Sequence, residues 1–286
     1  YLKNYQLIDL FLSEGAALTD TDSHGNGFFE YAAKGGNIPF LKTLIAKGID
    51  TGKNAMIFAS AGLRRKKNTL ETYKFLESVG IKVNIIDKTG KNPLHAIAYN
   101  STDLATYTYF ISKGVAIDLQ DNEGITPFMN AANSNTLAVV AFLAKTIKDF
   151  NLRDKKGRSA LAKAVQRNDV KVVKFLVEQG ANIHTIDATK NTLSYYLLTN
   201  FRKNSMPSFE AKLKVLEKNG LVVNTLQNSG KTLLHIATEK NNLALLKRLN
   251  SFNIDVNKQN EDGISALQIA AMQSKNIAIL EYLIRI

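Results

Sequence analysis

Between residues 154 and 186 the apolar positions come in two short bursts, each framed by polar punctuation. Asp154-Lys155-Lys156-Gly157 has no apolar side chain, with Asp first and Gly fourth, the composition of a type I turn. Ser159 follows as a helix N-cap, whose hydroxyl accepts a bond from an amide the helix cannot satisfy itself. Ala160 to Arg167 reads as a first helix, and Asn168-Asp169 breaks it. Val170 to Gln179 reads as a second helix, with Val172, Val173, Leu176 and Val177 at the spacing of one buried face. Gly180 supplies the left-handed residue that ends a helix at little cost, and Ala181-Asn182-Ile183-His184 leads into the next turn.

The same grammar returns along the chain. Gly90, Gly124 and Gly157 close the phrases begun by Asp87, Asp121 and Asp154, at intervals of 33 or 34 residues. The phrase weakens at Asp187, where Lys190 holds the glycine slot, and returns at Gly230 and Gly263. The N-cap slot holds Asn92, Thr126, Ser159, Thr192, Thr232 and Ser265. Pro93 and Pro127 stand at the first helical position, where a missing amide costs nothing. The helix-ending slot holds Gly15, Gly48, Gly80, Gly114, Gly180 and Gly220, then Asn253, while Ile147 breaks the rule and predicts a distorted exit there. A fixed period of this size predicts stacked helix-turn-helix units, each burying its apolar face only against its neighbours.

Asn92-Pro93-Leu94-His95, Thr126-Pro127-Phe128-Met129 and Thr232-Leu233-Leu234-His235 resemble the Thr-Pro-Leu-His signature of ankyrin repeats. Gly180-Ala181-Asn182-Ile183 and Asn253-Ile254-Asp255-Val256-Asn257 resemble that family's Gly-Ala-Asp-Val-Asn ending. The resemblance implies an all-α ankyrin-repeat solenoid with projecting hairpin loops, whose tips and first helices line a concave groove. It also implies that the rings of His95 and His235 bond to backbone near the turns. Eight units are expected within one domain spanning 1–286, starting near Asp22, Ile49, Asp87, Asp121, Asp154, Asp187, Gln227 and Asn260. Residues 5–21 resemble only a second helix. Neither end carries an evident polar cap, so the expectation is a piece of a longer array or atypical end units.

Two units are irregular. From the end of the first helix to the terminal glycine a regular unit takes 15 residues, the second takes 20 and the sixth takes 22. The extra residues include Arg64-Arg65-Lys66-Lys67, four consecutive cations that form a candidate anion patch, and the run Phe201 to Pro207. The plain alternative is a longer helix with a solvated end. Leu197 and Leu198 replace a small pair in the sixth unit and are expected to push its neighbours apart; the turn before Gly52 lacks its Asp and is expected to be shortened.

Composition narrows the chemistry. There is no cysteine, which excludes disulfides and thiolate chemistry but leaves the compartment open. The longest apolar run, Leu137 to Ala144, is far below the ~20 residues of a membrane span. The four histidines are too scattered for a helical metal pair, and no nucleophile elbow, phosphate loop or zinc-protease motif is present. Gly25-Asn26-Gly27 lacks the third glycine of a dinucleotide fingerprint. The expectation is a non-enzyme without cofactor or metal. The net charge of +12 fits either solvated lysines or an attraction to acidic partners.

By the resemblance, specificity rests on hairpin tips and the exposed ends of first helices. Those positions are Lys88, Lys91, Tyr99, Asn122, Glu123, Asn133, Lys155, Lys156, Arg158, Arg167, Lys231 and Lys240. They predict a protein-binding scaffold, monomeric, with a polar groove that is cationic near its middle and suits an acidic or extended segment. The alternative is a polyanion, nucleic acid or lipid headgroup, held by the basic inter-helix loops. The absence of aromatic interleaving in Arg64–Lys67 argues against nucleic acid.

Overall fold

The computed structural model of the protein describes residues 14, 15, 17, 19–63, 66–202, 205–273 and 277–286. Most of the leading fragment at 5–21, and Arg64 and Arg65 of the cationic run, lie outside them. Sixteen α-helices and no strand occur among the described residues, an all-α repeat architecture. By contact the chain divides into two compact units, one of residues 1–131 and 138–147, the other of 132–137 and 148–286.

In the first unit the helices come in pairs: α1 (Phe28–Gly35) with α2 (Ile38–Ala46), α3 (Ala55–Ala61) with α4 (Leu70–Ser78), and α5 (Pro93–Asn100) with α6 (Leu104–Ser112). First helices pack on first helices, α1 on α3 and α3 on α5, and the second helices α4 and α6 pack likewise. α7 (Pro127–Ser134) and α8 (Leu137–Ala144) follow. The core lies between the two rows, where Phe29, Leu41, Leu44, Leu76 and Ile97 are excluded from solvent. Tyr73 and Phe110 meet edge to face with centroids 5.0 Å apart. The buried Tyr107 hydroxyl donates to the Ile97 and Ser101 carbonyls, so its burial leaves no polar atom unpaired. The exit at Ile147 departs from the other repeats as predicted. Residues 145–147 close with bonds from each amide to the carbonyl three residues back, and Ile147 has no positive φ. At the second turn the Gly52 amide bonds to Asp50 instead of to an Asp three residues before it.

The second unit repeats the plan with α9 (Ala160–Arg167), α10 (Val170–Glu178), α11 (Leu193–Thr199), α12 (Met206–Lys218), α13 (Leu233–Glu239), α14 (Leu243–Asn250), α15 (Ala266–Gln273) and α16 (Ile277–Arg285). α11 packs on α9 and α13, α13 packs on α15, and α12 packs on α10. Ser159 caps α9 by accepting from the Ala162 amide, as its sequence position predicts. Gly180 and Gly220 take φ of 83° and 94°, and Asn253 takes 52° in the same slot.

The two insertions resolve differently. In the second repeat the described extra residues Lys66 and Lys67 stay outside any helix, and a bridge joins Leu63 to Lys66. In the sixth, part of the extra length enters the second helix, which reaches 13 residues where the other second helices have eight or nine.

Candidate functional site

The hairpins that present the predicted binding residues are built by one device. In Asp87, Asp121, Asp154 and Asp187 the Oδ1 atom accepts the amides two and four residues ahead, at 2.8–3.0 Å. Asn260 does the same with its carboxamide oxygen. The turn therefore needs a short acceptor at its first position, which is why Asp or Asn recurs there.

Successive hairpins are tied by backbone. The Asn122 amide donates to the Thr89 carbonyl, Ala188 to Lys156, and Glu261 to Ser229, each at 2.9 Å. The approach is close: a Cβ added to Gly157, whose φ is +75°, would lie 2.5 Å from the Ala188 nitrogen. Lys190 adopts a φ of 67° in that same slot. There the next hairpin is held differently, because the Asn228 amide reaches the Asn191 side chain at 3.0 Å. The longer carboxamide bridge accounts for a side-chain-bearing residue in a position built for glycine.

A regularity absent from the sequence expectations stabilises these turns. Nine residues after the turn acid, on the first helix, Tyr31 donates to Asp22 at 2.7 Å, Lys163 to Asp154 at 2.8 Å, and Tyr196 to Asp187 at 2.6 Å. Arg158 also bonds Asp154 through Nε, at 2.9 Å. Burial would raise the Asp154 pKa, but the bonds from Lys163 and Arg158 outweigh it and hold the carboxyl below its usual range. Arg158 thus spends its charge inside the hairpin. The recurrent offset of nine was visible in the sequence as Asp-x8-Tyr or Asp-x8-Lys.

The histidines sit where the resemblance implied. His95 Nδ1 accepts from the Asn92 amide at 3.1 Å, so Nε2 carries the hydrogen and donates to the Ile125 carbonyl at 3.0 Å. His235 repeats this with Thr232 and Ile264. Burial lowers both pKa values, against the opposing pull of those carbonyls.

In the second unit, hairpin tips and first helices enclose a cleft of about 520 Å³ over the sixth and seventh repeats. Lys231 and Lys240, both named from sequence, line it together with Gln166, Asn191, Tyr195 and Glu239. Lys231 pairs with Glu239 at 2.6 Å, so that tip is locally neutral. Lys240 donates to the Thr199 carbonyl at 3.0 Å, closing the end of α11, and burial lowers its pKa. Gln166 Nε2 donates to Thr199 Oγ1 at 3.1 Å. Tyr195 is the residue sequence reasoning missed. It stands three residues after the N-cap Thr192, the slot held by His95 and His235, and it is half-exposed where those rings are buried.

The other candidates are dispersed. Lys88, Lys91, Asn122 and Glu123 are exposed on adjacent hairpins of the first unit, where Asn122 Nδ2 holds the Lys88 carbonyl at 3.1 Å. Tyr99 is exposed at the end of α5, and Asn133 is half-buried. Lys155 and Lys156 are exposed at one tip of the second unit. Arg167 lines a different cavity, beside the sixth-repeat insertion. In the basic run, Lys66 donates to the Gly35 carbonyl at 3.3 Å and Lys67 to Ala61 at 3.2 Å, so both ammoniums close helix ends. Among the described residues no group of acids and histidines could hold a metal ion, and no helix is long and apolar enough to cross a membrane.

Family models for ankyrin repeats match residues 56–150 and 94–187 (three copies) and 234–284 (many copies). An ankyrin repeat protein of Acanthamoeba polyphaga mimivirus is 30% identical over 93 residues, 32% of this chain and 13% of that relative, so the match spans about an eighth of its length. A chain from the structure of the predatory endopeptidase Bd0816 of Bdellovibrio bacteriovorus in complex with the immunity protein Bd3460 superposes with a TM-score of 0.57 at 27% identity. It covers 70% of this chain and 99% of that one.

Proposed function

This chain belongs to the ankyrin repeat family, whose repeats typically mediate protein–protein interaction without catalysis, and on that premise we propose that it is a recognition scaffold. A partner protein docks on the face made by hairpin tips and first helices, with the cleft around Tyr195 and Lys240 as its centre in the second unit. The observation that carries this reading is the composition of that cleft. It joins a half-exposed aromatic ring to hydrogen-bonded and ion-paired polar groups on hairpins and first helices. Such an arrangement offers an anchor of low conformational entropy within a polar rim. Within the second unit the fingertip cations Lys155 and Lys156 add an attraction for an acidic segment and speed its encounter, and Lys88 and Lys91 offer the same on the hairpins of the first unit. The structural neighbour comes from a complex between two proteins, which supports a protein as the ligand.

The test is affinity capture with the intact protein and with Tyr195→Ala and Lys155→Glu/Lys156→Glu variants, followed by mass spectrometry. Removal of a central anchor is expected to weaken a bound partner by about 2 kcal/mol, near thirtyfold. A partner retained equally by all three proteins would move the interface elsewhere.

A further inference from the structure

The four hairpin tips of the second unit form one continuous row. The Ala188 amide donates to the Lys156 carbonyl at 2.9 Å, the Asn228 amide to the Asn191 side chain at 3.0 Å, and the Glu261 amide to the Ser229 carbonyl at 2.9 Å. The first helices beneath them, α9, α11, α13 and α15, pack on one another in the same order. Packed helix axes lie about 8–10 Å apart, so the first tip stands about 24–30 Å from the fourth.

Charge is divided along this row. Lys155 and Lys156 are exposed on the first tip and Lys190 on the second, whereas Glu261 and Asp262 are exposed on the fourth. Among the described residues no ion pair engages any of the five. The turn acids Asp154 and Asp187 do not cancel the lysines, because Lys163 and Arg158 already pair with Asp154. The third tip, Asn228-Ser229, is uncharged, and beside it Lys231 is neutralised by Glu239 at 2.6 Å. Asp255 and Lys258 lead into the fourth tip and leave it net acidic. The Debye length in physiological salt is about 8 Å, so the two ends of the row present separate fields to a ligand. Lys190 has a φ of 67°, in a slot that Gly157, Gly230 and Gly263 fill on the other three tips. A side chain there has a conformational cost, and its ammonium makes no ion pair among the described residues to offset it.

Resting on the hairpin face as the recognition surface, we propose that the second unit selects a protein segment of divided charge. Acidic residues lie over Lys155, Lys156 and Lys190, an uncharged stretch crosses the Tyr195 cleft, and a basic residue lies over Glu261 and Asp262. Lys190 is kept for this contact and not for the fold. An extended chain advances about 3.3 Å per residue, so between the second tip and the fourth the acidic and basic ends stand about five or six residues apart. A uniformly acidic segment is rejected at the fourth tip by like charge.

The test pans random dodecapeptides displayed on phage against the immobilised full chain in physiological salt. Enriched peptides are expected to carry Asp or Glu at one end and Lys or Arg about five or six residues away. The net charge of +12 by itself selects uniformly acidic peptides, so that outcome overturns the proposal. Panning on the Glu261→Lys/Asp262→Lys protein is expected to replace the basic end by acidic residues; retention of the basic end also overturns it. Lys190→Gly is expected to weaken a selected peptide about two- to fivefold in fluorescence anisotropy while raising the melting temperature, a pair of effects that loss of fold does not produce. Unchanged affinity in that variant contradicts the role of Lys190. Tyr195→Ala separates this inference from the one beneath it. Peptides weakened by Tyr195→Ala but lacking divided charge sink the charge reading alone, whereas peptides indifferent to Tyr195→Ala, or no enrichment at all, sink the recognition face as well.

Discussion

Replacing Gly157 by alanine isolates the force that sets the spacing of the hairpins. Gly157 has a φ of +75°, a left-handed conformation that costs a side-chain-bearing residue about 1–2 kcal/mol. The new Cβ would also fall 2.5 Å from the Ala188 nitrogen and 2.9 Å from two backbone atoms of Asp187. Those atoms are not the tip of a flexible side chain, so the hairpins must separate. Separation lengthens the 2.9 Å bond from the Ala188 amide to the Lys156 carbonyl, a loss of about 0.5–1.5 kcal/mol. The sum is about 1.5–3.5 kcal/mol. Gly180→Ala is the control: its φ is +83°, yet nothing lies within 4 Å of its added Cβ. It suffers the conformational term alone, and the lower unfolded-state entropy of alanine offsets both variants equally. Urea unfolding followed by circular dichroism is expected to place Gly157→Ala about 1 kcal/mol below Gly180→Ala. Equal destabilisation of the two would refute the claim that close backbone approach, and not φ alone, demands glycine at the tip.

Lys190→Gly removes a strained side chain and is expected to raise stability by about 0.5–1 kcal/mol, read as a higher melting temperature; a lower one contradicts the strain. Asp154→Ala removes the carboxylate that pairs with the buried Lys163 ammonium and with Arg158, and strips two turn amides of their acceptor, so a loss of about 3–5 kcal/mol in urea unfolding is expected. Lys163→Met should cost less, because Asp154 keeps Arg158. His95 and His235 are favoured neutral in the fold, so their contribution is complete above the ordinary histidine pKa of about 6.5 and is lost as pH falls through the lower folded values. Unfolding free energy should therefore fall between pH 7 and pH 5, and NMR titration that finds either ring above 6.5 would reverse the sign. Asp154 and Asp187, held below the usual carboxylate range despite burial, add a second loss that begins only below about pH 4.

The repeat frame was legible because turns and caps are local: Asp154, Gly157, Ser159 and Gly180 each act within a few residues, and their roles follow from conformational preference alone. The helix bounds 160–167 follow for the same reason. What the sequence hid depends on residues that meet across repeats. Nothing local says that Lys240 would close a helix begun 47 residues earlier at Leu193, or that Asn228 would reach the Asn191 side chain. Tyr195 carries no local signal, because only the neighbouring helices decide whether a ring in the slot of His95 and His235 is covered. Of the two insertions, the sixth lengthened a helix because Met206 to Lys218 continues an apolar period, whereas the second had no such period to extend.

Site-specific photocrosslinking tests the recognition face most directly. A benzoyl-phenylalanine placed at position 195, in the cleft, is compared with one at position 214, exposed on α12, in the presence of the captured partner. The account predicts a covalent adduct from position 195 and none from position 214. An adduct from 214 alone would put the partner on the second helices and contradict it.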